Sequence, residues 1–164
     1  NAVSARARVD GYSMLPTLKN NQYVLVNRLV AHYQRGDIIV FRPPMYPAES
    51  PVRRLLGMPS LQYEDYIKRV IGLPGDAITV VNGIVSINGA PLEEPYIASP
   101  PTYSGKWDVP QGELFVMGDN RNDSSDSHSW GFLPIENVLG KAILIYWPFS
   151  DWMVIHTPAV MAAH

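Results

Sequence analysis

The sequence predicts a mainly β fold, on three observations. Apolar residues recur with period two, in short segments, and those segments are bounded by Gly, Pro and Asn. Only two short stretches, 52–56 and 134–138, look helical, and both sit too close to Pro to act as pillars. The 164 residues are 46% hydrophobic and 17% charged, enough apolar content for one compact core and too little charge for a disordered tail.

The strands follow from the alternation. Segments 22–29 and 37–42 are short runs rich in Val, Leu, Ile and aromatic residues, and 63–73 is the longest such run. Segments 77–81 and 84–87 flank Asn82-Gly83, the pair that supplies both positive φ values of a type I′ hairpin turn, and Asn88-Gly89 follows at once. Segments 113–117 and 141–147 complete the set. Two Pro-rich excursions interrupt it, 43–60 around Arg53-Arg54 and 91–110 around Glu93-Glu94-Pro95. The expectation is a single domain over 1–164, with a variable excursion at 43–64 and an accessory β region or loop at 91–110.

Composition also bounds the chemistry. Thirteen basic against fifteen acidic residues give net charge −2, without the basic excess of a nucleic-acid binder. Zero Cys excludes disulfide frameworks, thiolate metal sites and a thiol nucleophile. No run approaches the roughly 18 apolar residues of a membrane span, so the chain as given reads as soluble. No metal or organic cofactor is implied.

With no Cys, the candidate nucleophiles are hydroxyls. Ser13 lies in Gly11-Tyr-Ser-Met-Leu-Pro-Thr-Leu18, where Pro16 disfavours helix at Leu15 and Gly11 permits a tight entry. The pattern G-x-S-x-G fails at Leu15, and no lysine follows a Ser by three. By itself Ser13 also fits an ordinary turn residue. None of His32, His128, His156 and His164 has an obvious Asp in a strand-end setting, so the alternative base is a lysine. Lys68 alternates with Tyr66 and Val70 on one face of a strand, where burial favours a neutral amine able to take a proton. An edge lysine reaching solvent is the other reading. Lys19, Lys106 and Lys141 have polar or loop neighbours.

A third cluster runs from Gly118 to Gly131, dense in short polar side chains directly after an apolar strand. Its spacing does not fit a calcium loop, since Arg121, Ser125 and Gly131 fall where ligands or the glycine are needed. A solvated loop and a bonded site both remain open.

Taken together, Ser13-Met-Leu-Pro-Thr-Leu18, Arg35-Gly-Asp-Ile-Ile-Val-Phe41, Lys68-Arg-Val-Ile-Gly-Leu-Pro-Gly-Asp76 and Gly118-Asp-Asn-Arg-Asn-Asp-Ser-Ser-Asp-Ser-His-Ser-Trp-Gly131 resemble, in order, the four boxes of bacterial type I signal peptidases. The resemblance spans Gly11 to about Trp147. It implies coiled, mostly antiparallel sheets, as in that family and its repressor-protease relatives. The activity it implies is serine endopeptidase removal of signal peptides from exported pre-proteins, cutting after Ala-x-Ala. It also implies a membrane-held enzyme with its catalytic part on the outer side of the cytoplasmic membrane, of which this chain is a soluble portion. The partners implied are the signal-peptide region and a lipid surface.

Residue by residue, the resemblance makes Ser13 the nucleophile and Lys68 the general base. Ser124 matches the hydroxyl that bonds the lysine amine, Asp126 the acid that orders that loop, and Gly118, Asp119, Asn120 and Arg121 its structural start. Met14, Leu18, Tyr66 and Ile67 match the pocket before the cut, and Val9, Val24 and Ile67 the next one. Gly11 stands where a Ser often supplies a second oxyanion donor, so the Ser13 N–H carries over and the Gly11 N–H is its candidate companion. His128 replaces an Arg that bridges to the acid. The late aromatics Tyr146, Trp147, Phe149 and Trp152 fit either a membrane interface or a core. Two rivals stand beside this reading: a self-cleaving Ser–Lys repressor-type protease, and a non-catalytic β module that binds extended peptides.

Overall fold

The structure is a computed structural model in which residues 4–46, 50–59 and 64–158 are described. In chain order the strands are β1 (Ser4–Arg8), β2 (Tyr23–Asn27), β3 (Ile38–Phe41), β4 (Tyr66–Gly72), β5 (Ala77–Val81), β6 (Ile84–Ile87), β7 (Ala90–Pro91), β8 (Gly105–Asp108), β9 (Glu113–Met117), β10 (Leu133–Pro134), β11 (Val138–Trp147) and β12 (Met153–Val154). Two short helices, α1 (Pro51–Leu55) and α2 (Ser127–Trp130), complete the regular structure with two single 3-10 turns. Eight strands form one sheet in the order β1-β2-β11-β3-β4-β9-β10, with β12 on β11; β7-β6-β5-β8 form a second. Among the described residues every pairing is antiparallel. No helix among the described residues is long and apolar enough to cross a membrane.

The alternation places the core. On β2, Val24 and Val26 turn inward, while Tyr23, Leu25 and Asn27 are half-buried. β4 is buried along nearly its whole length, because it feeds three apolar clusters. Ile67 joins Val9, Met14, Leu18 and Ile38; Val70 joins Ile39, Phe41 and Val116; Ile71 joins Ile78, Val80 and Phe115 beneath the small sheet. Gly72 permits that last contact, since a Cβ there would lie 2.9 Å from Ile78 Cδ1 and 3.0 Å from Val109 Cγ2. Register shifts along β11 bend the strand, which pairs with β2, β3 and β12 in turn.

The predicted hairpin forms as expected, with Asn82 at φ 49° and Gly83 at φ 78°. Other boundaries differ for local reasons. β2 stops at Asn27, whose Oδ1 accepts the Leu29 N–H and turns the chain. β4 begins at Tyr66; the start of the predicted strand at Tyr63, like parts of the 43–64 excursion, lies outside the described residues. The stretch 134–138 is not a helix: Pro134 ends β10, Ile135–Asn137 makes one 3-10 turn, and Val138 opens β11. The sequence predicts no strand before residue 22, yet β1 pairs along its length with β2. Its inward residues are Ala5 and Ala7, too small to produce an apolar signal. β8 lies within the predicted 91–110 excursion and closes the edge of the small sheet on β5.

Candidate active site

Ser13 sits in the loop that joins β1 to β2. That loop is clamped at its base, where Val9 N–H donates to the Gln22 carbonyl at 2.7 Å and Asn21 N–H to the Val9 carbonyl at 2.8 Å. Met14 and Leu18 anchor it from below, 1% and 0% exposed. The nucleophile candidate is thus held on a packed turn rather than a free loop.

Lys68 reaches it from β4. Its Nζ donates to Ser13 Oγ at 2.7 Å and to its neighbour's carbonyl, Ile67 O, at 3.2 Å, and it lies 5.1 Å from the centre of the Tyr66 ring. The residue is 5% exposed. Burial lowers the amine from its ordinary 10.5 to about 8, against the opposing pull of Asp126 and Glu64. A substantial fraction is therefore neutral near pH 8, as proton abstraction requires.

The segment after β9 packs directly on this pair. Asn120 N–H donates to the Ser13 carbonyl at 2.9 Å, and Asn120 Nδ2 donates to the Tyr12 carbonyl at 3.0 Å. Asp119 receives a fork from Arg69, at 2.8 Å and 2.7 Å, and the Thr17 hydroxyl at 2.5 Å. Asp126 is fully buried; its carboxylate accepts the Gly118 N–H at 2.9 Å and caps α2 through the His128 N–H at 3.1 Å. The Asp126 cap and Gly131 after Trp130 are the sequence signals for α2 that periodicity does not register. His128 also takes the bridging place, with Nδ1 2.5 Å from Asp126 Oδ1 and its ring stacked on Tyr103 at 3.8 Å between centres.

A cleft of about 340 Å³ opens over the dyad. Its lining includes Val9, Met14, Tyr66 and Ile67 together with Gly11, Tyr12, Ser125 and the acidic Asp10, Glu64, Asp65 and Asp123. Two expected pocket residues do not line it. Leu18 and Val24 are both 0% exposed and lie in the core behind the wall, because the inward pleat of β2 and the clamp on the loop turn them away from the cleft.

Two further expectations are corrected by geometry. The Gly11 N–H is already committed to Asn20 Oδ1 at 2.9 Å, so it is not an open oxyanion donor here. The Ser13 N–H makes no such bond among the described residues. Ser124 does not bond Lys68: its Oγ is buried without a partner, pressed against Gly118. Of the late aromatics, Trp147, Phe149 and Trp152 are 52%, 78% and 56% exposed, so they belong to the surface and not to the core.

Comparisons with known proteins show the family to which the chain is related. The model of the family described as signal peptidase, peptidase S26, matches residues 1–147. The signal peptidase I of Leptolyngbya laminosa is 48% identical over 151 residues, covering 89% of this chain and 70% of that one. A probable signal peptidase I of Synechocystis is 46% identical over 85% of this chain and 69% of its own, and that of Bacillus caldolyticus 36% identical over 88% and 80%. Among solved structures, a signal peptidase I from Enterococcus faecalis superposes with a TM-score of 0.52 at 30% identity, over 68% of this chain and 97% of that one. With its β architecture matched by that structure and 85–89% of its own length aligned to those relatives, the chain belongs to the signal peptidase family, peptidase S26.

Proposed function

We propose that this signal peptidase removes signal peptides with Ser13 as nucleophile and Lys68 as the base and acid that serves it. The observation that carries the proposal is the 2.7 Å bond between Ser13 Oγ and the buried Lys68 amine. Neutral Lys68 takes the Ser13 proton as Oγ forms its bond to the scissile carbonyl carbon. The resulting ammonium gives that proton to the leaving amine as the C–N bond breaks, leaving an ester on Ser13. Neutral again, Lys68 takes a proton from water, whose oxygen attacks the ester; the proton returns to Ser13 Oγ and the acid product departs. The Ser13 N–H points to a single backbone donor for the oxyanion, with Gly11 occupied by Asn20. Asp126 holds the loop after β9 beside the pair, through the Gly118 N–H that its carboxylate accepts.

The substrate is the extended segment that ends a signal peptide. The cleft wall of Val9, Met14, Tyr66 and Ile67 favours small apolar side chains, consistent with Ala before the cut and two residues earlier. The enzyme works at the outer face of the cytoplasmic membrane, where exposed Trp147, Phe149 and Trp152 meet the lipid surface.

The deciding experiment follows a pre-protein-like Ala-x-Ala peptide by intact mass. The wild type is expected to accumulate an acyl adduct and Ser13→Ala to form none, while Lys68→Ala loses roughly a thousandfold in rate. Turnover by Ser13→Ala at the wild-type rate would refute the assignment.

A further inference from the structure

Glu94 and Tyr96 lie in the excursion between β7 and β8, where the sequence marks Glu93-Glu94-Pro95 and the catalytic reading leaves it unused. Yet this segment reaches across to the catalytic loop. Arg121, 0% exposed, forks onto both Glu94 oxygens, with Nη1 to Oε1 at 2.8 Å, and the Glu94 side chain is only 5% exposed. The Tyr96 hydroxyl donates to Glu94 Oε2 at 2.8 Å, and the Arg69 guanidinium lies 4.0 Å over the Tyr96 ring. The Ala98 N–H donates to the Asp119 carbonyl at 3.1 Å.

Each contact leads to the dyad in one more step. Arg121 Nε donates to the Gly118 carbonyl at 3.0 Å, and Gly118 packs against the Ser13 carbonyl and Ser124 Oγ. Arg69 follows Lys68 on β4 and binds Asp119, which holds the Thr17 hydroxyl four residues past Ser13. Two cations and two carboxylates are therefore buried together around one aromatic ring. Their balance matters, because a buried charge left without its partner forces the neighbouring backbone to move.

We propose that Glu94 and Tyr96 are positioning residues for the Ser13–Lys68 pair: a strap from the accessory region that fixes β4 and the 118–121 segment against the nucleophile turn. The inference rests on the dyad reading above. Neither residue lines the cleft, so their influence falls on the alignment of the reacting groups and not on peptide binding. Small misplacements of a bound geometry can cost about a hundredfold in rate, which makes such a strap kinetically visible.

The test compares Tyr96→Leu, Tyr96→Phe and Glu94→Gln in the same peptide assay, with thermal unfolding to establish the folded fraction. Tyr96→Leu removes the aromatic face under Arg69; kcat per folded molecule is expected to fall about tenfold or more while KM stays within about twofold. The acid limb of its pH profile is expected to move to higher pH, as a loosened Lys68 becomes better hydrated. Tyr96→Phe keeps the ring and is expected to retain kcat within about threefold. Should Tyr96→Leu fail to fold, Glu94→Gln decides on the same readouts, since it keeps an acceptor for Arg121 but removes the charge. Unchanged kcat and pH profile in folded Tyr96→Leu and Glu94→Gln, beside inactive Ser13→Ala, would overturn the strap alone; cleavage surviving Ser13→Ala would overturn the dyad and the strap with it.

Discussion

Gly118 lies so close to Ser13 that a Cβ at position 118 would fall 2.5 Å from the Ser13 carbonyl oxygen and collide with Ser124 as well. The neighbour on that side is backbone, which cannot swing away as a long side chain can. Gly118→Ala is therefore expected to displace the nucleophile turn, lowering kcat by about a hundredfold and stability by roughly 1–3 kcal/mol. Peptide turnover and urea unfolding measure the two effects, and an alanine variant with normal kcat would show that the turn can yield.

The pH dependence follows from Lys68. With its amine at about 8, the active neutral form gains population as pH rises through that value. kcat/KM is expected to climb about tenfold per pH unit well below pH 8 and to level above it. A profile flat from pH 6 to about 9 would exclude Lys68 as the base whose proton state limits the reaction.

Burial of that amine also has a thermodynamic cost. The unfolded lysine stays protonated up to its ordinary 10.5, while the folded one loses its proton near 8, so the unfolded state binds more protons between those values and wild-type stability rises with pH across them. Below about pH 8 the folded protein carries the penalty in full, about 3 kcal/mol from the size of the displacement. Lys68→Met, which fills similar volume without charge, is expected to be inactive and more stable at pH 7, by up to about 3 kcal/mol. The gain should shrink toward pH 10.5, as chemical denaturation at several pH values will show.

Ser124 presents a separable case. Its hydroxyl is buried without a partner, so removing it relieves an unsatisfied polar group. Ser124→Ala is expected to leave stability unchanged or raised by about 1 kcal/mol, with kcat within about threefold of wild type, since the hydroxyl makes no bond to the lysine amine. A kcat loss of about tenfold or more would show that the hydroxyl turns to the lysine amine during acyl transfer.

Exposed Trp147, Phe149 and Trp152 give a last expectation. Trp147→Ala and Trp152→Ala together should weaken co-sedimentation with lipid vesicles by roughly tenfold or more, since each indole withdraws a large apolar area from water. Activity on a short soluble peptide should be little changed, which separates lipid contact from catalysis.

Much of the fold is legible in the chain because β periodicity and turn chemistry are local. β5 and β6 close around Asn82-Gly83, and β9 begins and ends as the alternation predicts. β1 is not legible, for Ala5 and Ala7 bury too little surface to mark an inward face. The small helix α2 escapes a search for periodicity because four residues contain barely one turn.

The sequence by itself determined the chemistry available: no thiol, a Ser on a Pro-stiffened turn, four lysines of which Lys68 alternates with Tyr66 and Val70 on one strand face, and four boxes in family order. Tertiary structure alone decided which groups meet. It joined Ser13 to Lys68 across 55 positions and Arg69 to Asp119 across 50, engaged Gly11 with Asn20, withdrew Leu18 and Val24 from the cleft, and brought Glu94 from an apparent loop onto Arg121. The physical reason is that residue type and spacing record a side chain's chemistry and its face. The partner that desolvates or neutralises it is set by packing between strands far apart in the chain.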